Sequence, residues 1–492
     1  MTRQDILQTL LPGFVGTELP DWLRALLAEG LAGVCLFGEN VSSGEQLRRL
    51  TADIRAANPA ALIAIDEEGG DVTRLYADVG SPFAGNALLG RIDDETLTCA
   101  VGRRVGAELR AVGVNLDFAP DVDINSNSDN PVIGVRSFGA ATDLVSRHGA
   151  AWTRGLQSQG VAAGIKHFPG HGDTSQDSHL ALPVVDLAHQ RLRGRELEPF
   201  RAAIEAGAAT VMTSHILLPR VDAVNPATFS REILGGILRD ELKFEGVIVS
   251  DALDMAGASA QTGIAVAAAR ALAAGCDLLC IGTRNTRSQL EDIVAEVDAA
   301  LQRGDLEPAR LSDAAGRVRA LAHELRETRA TLAAPGLEPD VDFPAYPSLA
   351  DAFEVSPDAA RFLAAASSPV VVRIDTEANI AVGNSPWGPF SSGLTLETVG
   401  LTASNPVDVR ALDADRPVIV IGRDNHRHPW VTHMIDEVRG RHPAVVVVDM
   451  GWPGDDRRYA DIATFGASRI VGLALRRMID AACAAPVNGD SR

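Results

Sequence analysis

Residues 161–174 read Val161-Ala162-Ala163-Gly164-Ile165-Lys166-His167-Phe168-Pro169-Gly170-His171-Gly172-Asp173-Thr174, with Asp177-Ser178-His179 shortly after. An apolar lead-in runs into three histidines, two aspartates and a lysine. Pro169, Gly170 and Gly172 forbid a helix there. The stretch therefore reads as a buried strand whose C-terminal end spills into a loop, the place where a rigid scaffold displays chemistry. Lysine stands at only two positions, Lys166 and Lys243, among 45 lysines and arginines. A chain that takes arginine almost everywhere has a compact ammonium inside its densest polar cluster, and the two cations are not interchangeable.

Working outward from this strand, short apolar runs recur at 11–16, 33–37, 62–66, 114–118, 163–168, 210–215, 247–251 and 277–281. Several are continuous and β-rich, as parallel strands buried on both faces should be. Amphipathic helical patterns fall between them at 44–57, 95–112, 141–159, 196–206, 231–242 and 263–274. Eight strand–helix units within about 300 residues describe a TIM (β/α)8 barrel. Asp66, Asp117, Lys166 with His167, Ser214 with His215, and Asp251 all close their strands. In a TIM barrel those C-terminal ends share one face, and that face holds the active site.

The helical pattern continues through 287–303 and 308–328, and prolines at 335, 339, 344 and 347 then mark a linker. Strand-like runs at 369–374, 417–421 and 444–450, with helical patterns at 430–439 and 456–465, predict a small C-terminal α/β domain. The expected organisation is a catalytic barrel over 1–332, a Pro-rich linker over 333–347 and the small domain over 348–492.

Four motifs carry a resemblance. Lys166-His167-Phe168-Pro169-Gly170-His171-Gly172 with Asp177-Ser178-His179 is similar to the signature of bacterial β-N-acetylhexosaminidases of glycoside hydrolase family 3. Asp66-Glu67-Glu68-Gly69-Gly70 with Arg74 resembles the family's early sugar-binding turn. Asn130-Pro131-Val132-Ile133-Gly134-Val135-Arg136-Ser137-Phe138-Gly139 resembles its next loop, and Val249-Ser250-Asp251-Ala252-Leu253 its nucleophile strand. The motifs stand in the family's order over roughly residues 10 to 330; the last 150 or so residues carry none of comparable strength.

The resemblance implies a retaining exo-β-N-acetylglucosaminidase that releases terminal GlcNAc from cell-wall or chitin-derived fragments. Asp251 would be the nucleophile, a carboxylate held rigidly at a strand end and suited to the positive charge that develops at the anomeric carbon. The acid would be His179 with Asp177 as its partner. A histidine can donate and then accept a proton near neutrality, and an adjacent carboxylate fixes its tautomer. That pair rides on a Gly/Pro-rich loop, which is expected to move in when substrate binds. By the same resemblance Asp66, Arg74, Arg136, Lys166 and His167 bind the sugar; Asp117 and His215 share their face and serve either in contact or in support. Alternatives of the same chemistry are a phosphorylase using the same covalent intermediate and a β-glucosidase of the same family. Related β-glucosidases take a glutamate acid from a distal domain and typically carry Trp after the nucleophile, where this chain has Ala252. A catalytically dead sugar-binding protein is the alternative from another class, and the intact Asp177, His179 and Asp251 speak against it.

No cofactor or metal is expected. Asp121-x-Asp123-x-Asn125-x-Asn127-x-Asp129 resembles the start of a calcium loop but has Ser126 in place of its glycine and Val132 in place of its glutamate. A zinc site from His167, His171, Asp173 and His179 would set a lysine beside a cation. The loop Asn425-His426-Arg427-His428-Pro429-Trp430 is polar and aromatic; it reads as an ordinary surface loop, with reach into a neighbouring active site of a dimer as the alternative. Net charge of −20 excludes nucleic acid and anionic membranes as partners. Three tyrosines and five tryptophans limit any sugar-stacking platform. Five scattered cysteines, no long apolar segment near the N-terminus and no run of about 18 apolar residues predict a cytoplasmic protein, monomeric or homodimeric.

Overall fold

The computed structural model describes residues 3–174, 182–333, 349–377, 379–405, 412–413 and 415–484. The expected linker, 333–347, lies outside them apart from Ala333. The chain divides into two units. The first holds the described residues of 1–68, 93–133 and 137–341; the second holds those of 69–92, 134–136 and 342–492.

In the first unit all eight apolar runs form strands: β1 (Leu10–Pro12), β2 (Gly33–Leu36), β3 (Leu62–Ile65), β4 (Leu116–Asp117), β5 (Ala162–Phe168), β6 (Thr210–Thr213), β7 (Val247–Ser250) and β8 (Leu278–Gly282). Every residue in them is buried, which is why they read as continuous apolar runs rather than alternating ones. Their order is β1-β8-β7-β6-β5-β4-β3-β2, each neighbouring pair parallel. This is a nearly closed α/β barrel, with β1 and β2 as the two strands that no ladder joins.

The helices sit where the periodicity put them, and local chemistry sets their ends. Ser43 Oγ accepts from the N–H of Gln46 to start Gly44–Ala57, and Asp94 accepts from Thr96 and Leu97 to start Glu95–Ala111. Gly304 ends Arg287–Arg303 in the left-handed region, at φ 78°. The segment Glu232–Glu241 winds with wide π-type turns. The last helix, Pro308–Thr331, packs Val318, Leu321, Ala322 and Leu325 into one cluster with the strand-start residues Leu62, Ala162, Val247 and Leu278. It therefore covers the N-terminal end of the barrel and leaves chemistry to the opposite end.

The second unit contains a six-stranded sheet: β9 (Glu354–Val355), β10 (Val370–Asp375), β11 (Thr398–Thr402), β12 (Val418–Gly422), β13 (Val445–Asp449) and β14 (Ile462–Ala463), in the order β11-β10-β12-β13-β14-β9. All pairs are parallel except β14 with β9. Val370, Val372, Val418, Val420 and Val447 form its core with Val431, Ile435 and Val438 of the helix Pro429–Arg441. Helices Pro357–Ala365 and Arg469–Ala484 complete the unit. The helix expected over 456–465 is a correction: that stretch is turns leading into β14. Ile462 and Ala463 gain a ladder with Val448 and Asp449, and the Asp461 carboxylate accepts the N–H of Val447 at 2.8 Å. Sheet burial overrides a helical pattern there.

Residues 69–92 join this unit through specific contacts. Asp71 accepts the N–H of Ala467 at 2.8 Å, Ser468 Oγ donates to Phe83 O at 2.6 Å, and Arg91 pairs with Glu354 at 2.7 Å. Among the described residues no helix is long and apolar enough to cross a membrane.

Candidate active site

Lys166 stands in β5, and its side chain is only 2 % exposed. Its Nζ lies 2.7 Å from Asp66 Oδ1 and 2.7 Å from Glu68 Oε1. Asp66 follows the last residue of β3, so the lysine stem spans β4 to reach it. A buried ammonium is tolerable only when paired, and here two carboxylates clamp it. Beneath the turn, at the end of β4, Asp117 is fully buried; its Oδ1 accepts the N–H of Glu67 at 2.9 Å, while Oδ2 has no hydrogen-bond partner among the described residues. Burial pushes this carboxyl well above the usual range, and the charges of Glu67 and Asp66 push the same way against Lys166.

A second knot forms around Asp123. Its carboxylate accepts the Nδ1–H of His167 at 2.7 Å and the backbone N–H of His171 at 2.6 Å. Burial works against its charge, yet contact with His167 and the proximity of His171 hold its pKa below the ordinary value. The bond fixes the His167 tautomer, with the proton on Nδ1. His171 is 1 % exposed, and its Nδ1 pairs with Thr174 Oγ1 at 2.9 Å. Burial lowers its pKa to about 4, so the ring is neutral at pH 7; Asp123 and the nearby Asp251 oppose the shift. Asn130 anchors the same loop, donating its amide to His171 O at 2.9 Å.

Asp251 follows directly on β7. Its N–H donates to Thr213 Oγ1 at 3.3 Å, and its Oδ1 accepts the N–H of Ala252 at 2.7 Å. His215, fully buried, holds this turn from behind: Nε2 meets Ala252 O at 3.0 Å and Nδ1 meets Thr228 Oγ1 at 2.9 Å. His215 thus supports the turn that carries Asp251.

Asp66, Lys166, His167 and Asp251 all lie at the C-terminal ends of barrel strands in the first unit. Arg74 and Arg136 belong to the second unit, where Arg74 donates to Ala381 O at 3.0 Å and Arg136 O accepts the amide of Asn86 at 2.6 Å. Asp177 and His179 lie outside the described residues.

Asp123, His171, Glu68 and Glu196 were not singled out as site residues from sequence. Glu196 packs against Gly170, where an added Cβ would come within 3.0 Å of its carboxylate. Burial raises its pKa to about 7 against the pull of Arg195. Asp173 is held by Arg195 at 2.7 Å. Among the described residues, Asp121, Asp123 and His167 bring donor atoms within 4.8 Å of one another. The Asp123–His167 hydrogen bond and the Asp123 N–H on Asp121 Oδ1, at 2.9 Å, are what this run provides. The two signals for these residues were both present in the sequence: an Asp-x-Asp pair just after β4, and a carboxylate two positions beyond Asp66.

The profile of the glycosyl hydrolase family 3 N-terminal domain matches residues 6–321. The chain is 35% identical over 343 residues to beta-hexosaminidase A of Pseudoalteromonas piscicida, which covers 64% of this chain and 57% of that protein. It thus spans under two thirds of that relative's length. It is 38% identical over 283 residues to a beta-hexosaminidase of Stenotrophomonas maltophilia, covering 55% of this chain and 82% of the relative. Among solved structures, a glycoside hydrolase family 3 beta-N-acetylglucosaminidase from Paenibacillus sp. str. FPU-7 aligns with TM-score 0.82 and 30% identity, over 99% of this chain and 97% of the other.

Proposed function

The chain belongs to glycoside hydrolase family 3, and from that membership we propose that it is a retaining exo-β-N-acetylglucosaminidase acting on small glycosides. The relatives' names, beta-hexosaminidase and beta-N-acetylglucosaminidase, support the substrate class. The observation that carries the reading is the shared end of the barrel: a carboxylate at β7, Asp251, and a lysine–carboxylate clamp at β5 and β3.

In this reading Asp251 attacks the anomeric carbon and forms a glycosyl ester while His179, partnered by Asp177, protonates the departing oxygen. His179 then takes a proton from water, which cleaves the ester with net retention. Asp66, Lys166 and His167 bind sugar hydroxyls, with Lys166 holding Asp66 in place at 2.7 Å and Asp123 keeping His167 in one tautomer. The four described cysteines are all free thiols, which supports work in a reducing cytoplasm.

A substrate panel tests the proposal. GlcNAc aryl glycosides should be cleaved, glucosides far more slowly, with and without inorganic phosphate, and free GlcNAc should be the product. GlcNAc-1-phosphate appearing when phosphate is present would make the enzyme a phosphorylase. His179→Ala should impair poor leaving groups far more than activated aryl groups; equal losses would remove His179 as the acid.

A further inference from the structure

The sheet of the second unit has a topological switch point. From β10 the chain moves to β11 on one side, then returns to β12 on the other. The loops leaving β10 and β12 therefore part in opposite directions and open a crevice at the carboxyl ends of the strands, where open α/β sheets bind ligands. A cavity of about 400 Å³ lies there, lined by Arg373, Asp375, Asn384, Trp387, Phe390 and Arg423 among others. Its size suits a small molecule.

The chemistry of the walls is specific. Asp375 is spent within the crevice: it accepts from Arg373 Nη2 at 2.8 Å and from Trp387 Nε1 at 3.1 Å. Trp387 is only 6 % exposed and serves to seat cations, with Arg423 4.7 Å and Arg373 5.3 Å from its ring centroid. Among the described residues Arg423 makes no hydrogen bond or ion pair; it packs on Trp387 and lies within electrostatic reach of the buried Asp71 carboxylate. A half-buried guanidinium with its donors unspent is set to receive an acceptor. Its mount is rigid. Asp449, fully buried, gathers the N–H groups of Asp424, Asn425 and Gly451 at 2.8, 3.0 and 2.8 Å, and Asp424 is held in the left-handed region at φ 50°. Such strain persists where surroundings enforce it, often at ligand sites. Thr376, Asn384, Ser385 and Ser391 add hydroxyl and amide groups to the wall.

We propose that this crevice is a second ligand site, taking a hydroxylated small molecule that carries a carboxylate or a phosphate, with Arg423 as the anion anchor. The site is built wholly from the second unit and does not rest on the glycosidase reading. One functional consequence follows from connectivity: the loop that lines the crevice also supplies Ala381 O, the acceptor for Arg74.

Titration calorimetry on the full chain, at fixed ionic strength, tests it with three probes: glucose 6-phosphate, glucuronate and glucose. At least one charged probe should bind saturably, with glucose at least about tenfold weaker, and the stronger of the two charged probes identifies the anionic group. Arg423→Met should cost about tenfold or more in affinity for that probe while the ligand-free variant keeps the wild-type circular-dichroism spectrum. Asn384→Trp, at an exposed lining position, should block binding by filling the cavity. Absence of saturable binding by both charged probes, equal binding of glucose, or wild-type affinity in both variants would overturn the proposal.

Discussion

The Nδ1 proton of His167 is held by the carboxylate of Asp123 at 2.7 Å, and the same carboxylate holds the backbone of His171. One buried aspartate thus sets the position of two histidines on the loop that follows β5. In Asp123→Asn the acceptor for the ring proton is weakened and the backbone anchor lost. We expect kcat/KM on a GlcNAc aryl glycoside to fall at least about tenfold, as when a group that orients a histidine is removed. Unchanged kinetics in a well-folded variant would show that this orientation does not matter to turnover.

Lys166 Nζ lies 2.7 Å from both Asp66 and Glu68. Removing one partner of a buried ion pair typically costs about 3–5 kcal/mol, because the remaining charge stays desolvated. Lys166→Met should lose stability on that scale in urea unfolding. The double variant Lys166→Met/Glu68→Gln should recover part of it and recover no activity. If the single variant is as stable as wild type, the clamp is not a pair of ionised groups.

Asp251→Ala should lower turnover by about 10⁴-fold or more, the scale seen when a nucleophile is deleted. Added azide should then restore cleavage and yield an α-glycosyl azide, since the small anion attacks from the face the carboxylate has vacated. A β-glycosyl azide as product would assign Asp251 the acid role.

His171 carries a pH signature. Its pKa falls from about 6.5 in the unfolded chain to about 4 in the native one, chiefly through burial. Between those values the unfolded chain binds a proton that the native imidazole refuses, so stability is lost as pH falls through that window. His171→Asn lacks this titrating group. The melting temperature of the wild type should drop more steeply than that of the variant on acidification; two parallel curves would mean that His171 is charged in the native state.

Glu196 runs the opposite way. Burial lifts its pKa to about 7, so the native state keeps a proton that the unfolded chain gives up near 4.5. Its contribution is present at acid pH and is lost as pH rises through about 7. Glu196→Gln should therefore gain in melting temperature relative to wild type as pH increases from about 5 to about 8, and a constant difference across that range would refute it.

The barrel was legible because its eight strands are buried on both faces, which turns each into a continuous apolar run that composition alone reveals. Asp66, Lys166 and Asp251 were legible as strand-end residues, since strand ends follow directly from strand boundaries. The second unit was read less completely. β9 and β14 are two residues each, and β11 leaves Thr398 and Gly400 exposed, so none of them makes an apolar run. The segment 456–465 looked helical until a ladder with β13 claimed Ile462 and Ala463.

Local order along the chain was thus sufficient for the strands, the helices between them and the polar residues that close the strands, because backbone hydrogen bonding and burial act over a few residues at a time. Partnership was not. That Lys166 is shared by Asp66 and Glu68, that Asp123 orders His167 and His171, and that residues 69–92 and 134–136 group with the second unit all depend on which groups meet across 44 or more positions of chain. Such contacts arise only when the folded backbone brings distant segments within a few ångströms, where desolvation makes each unpaired charge or donor too costly to leave alone.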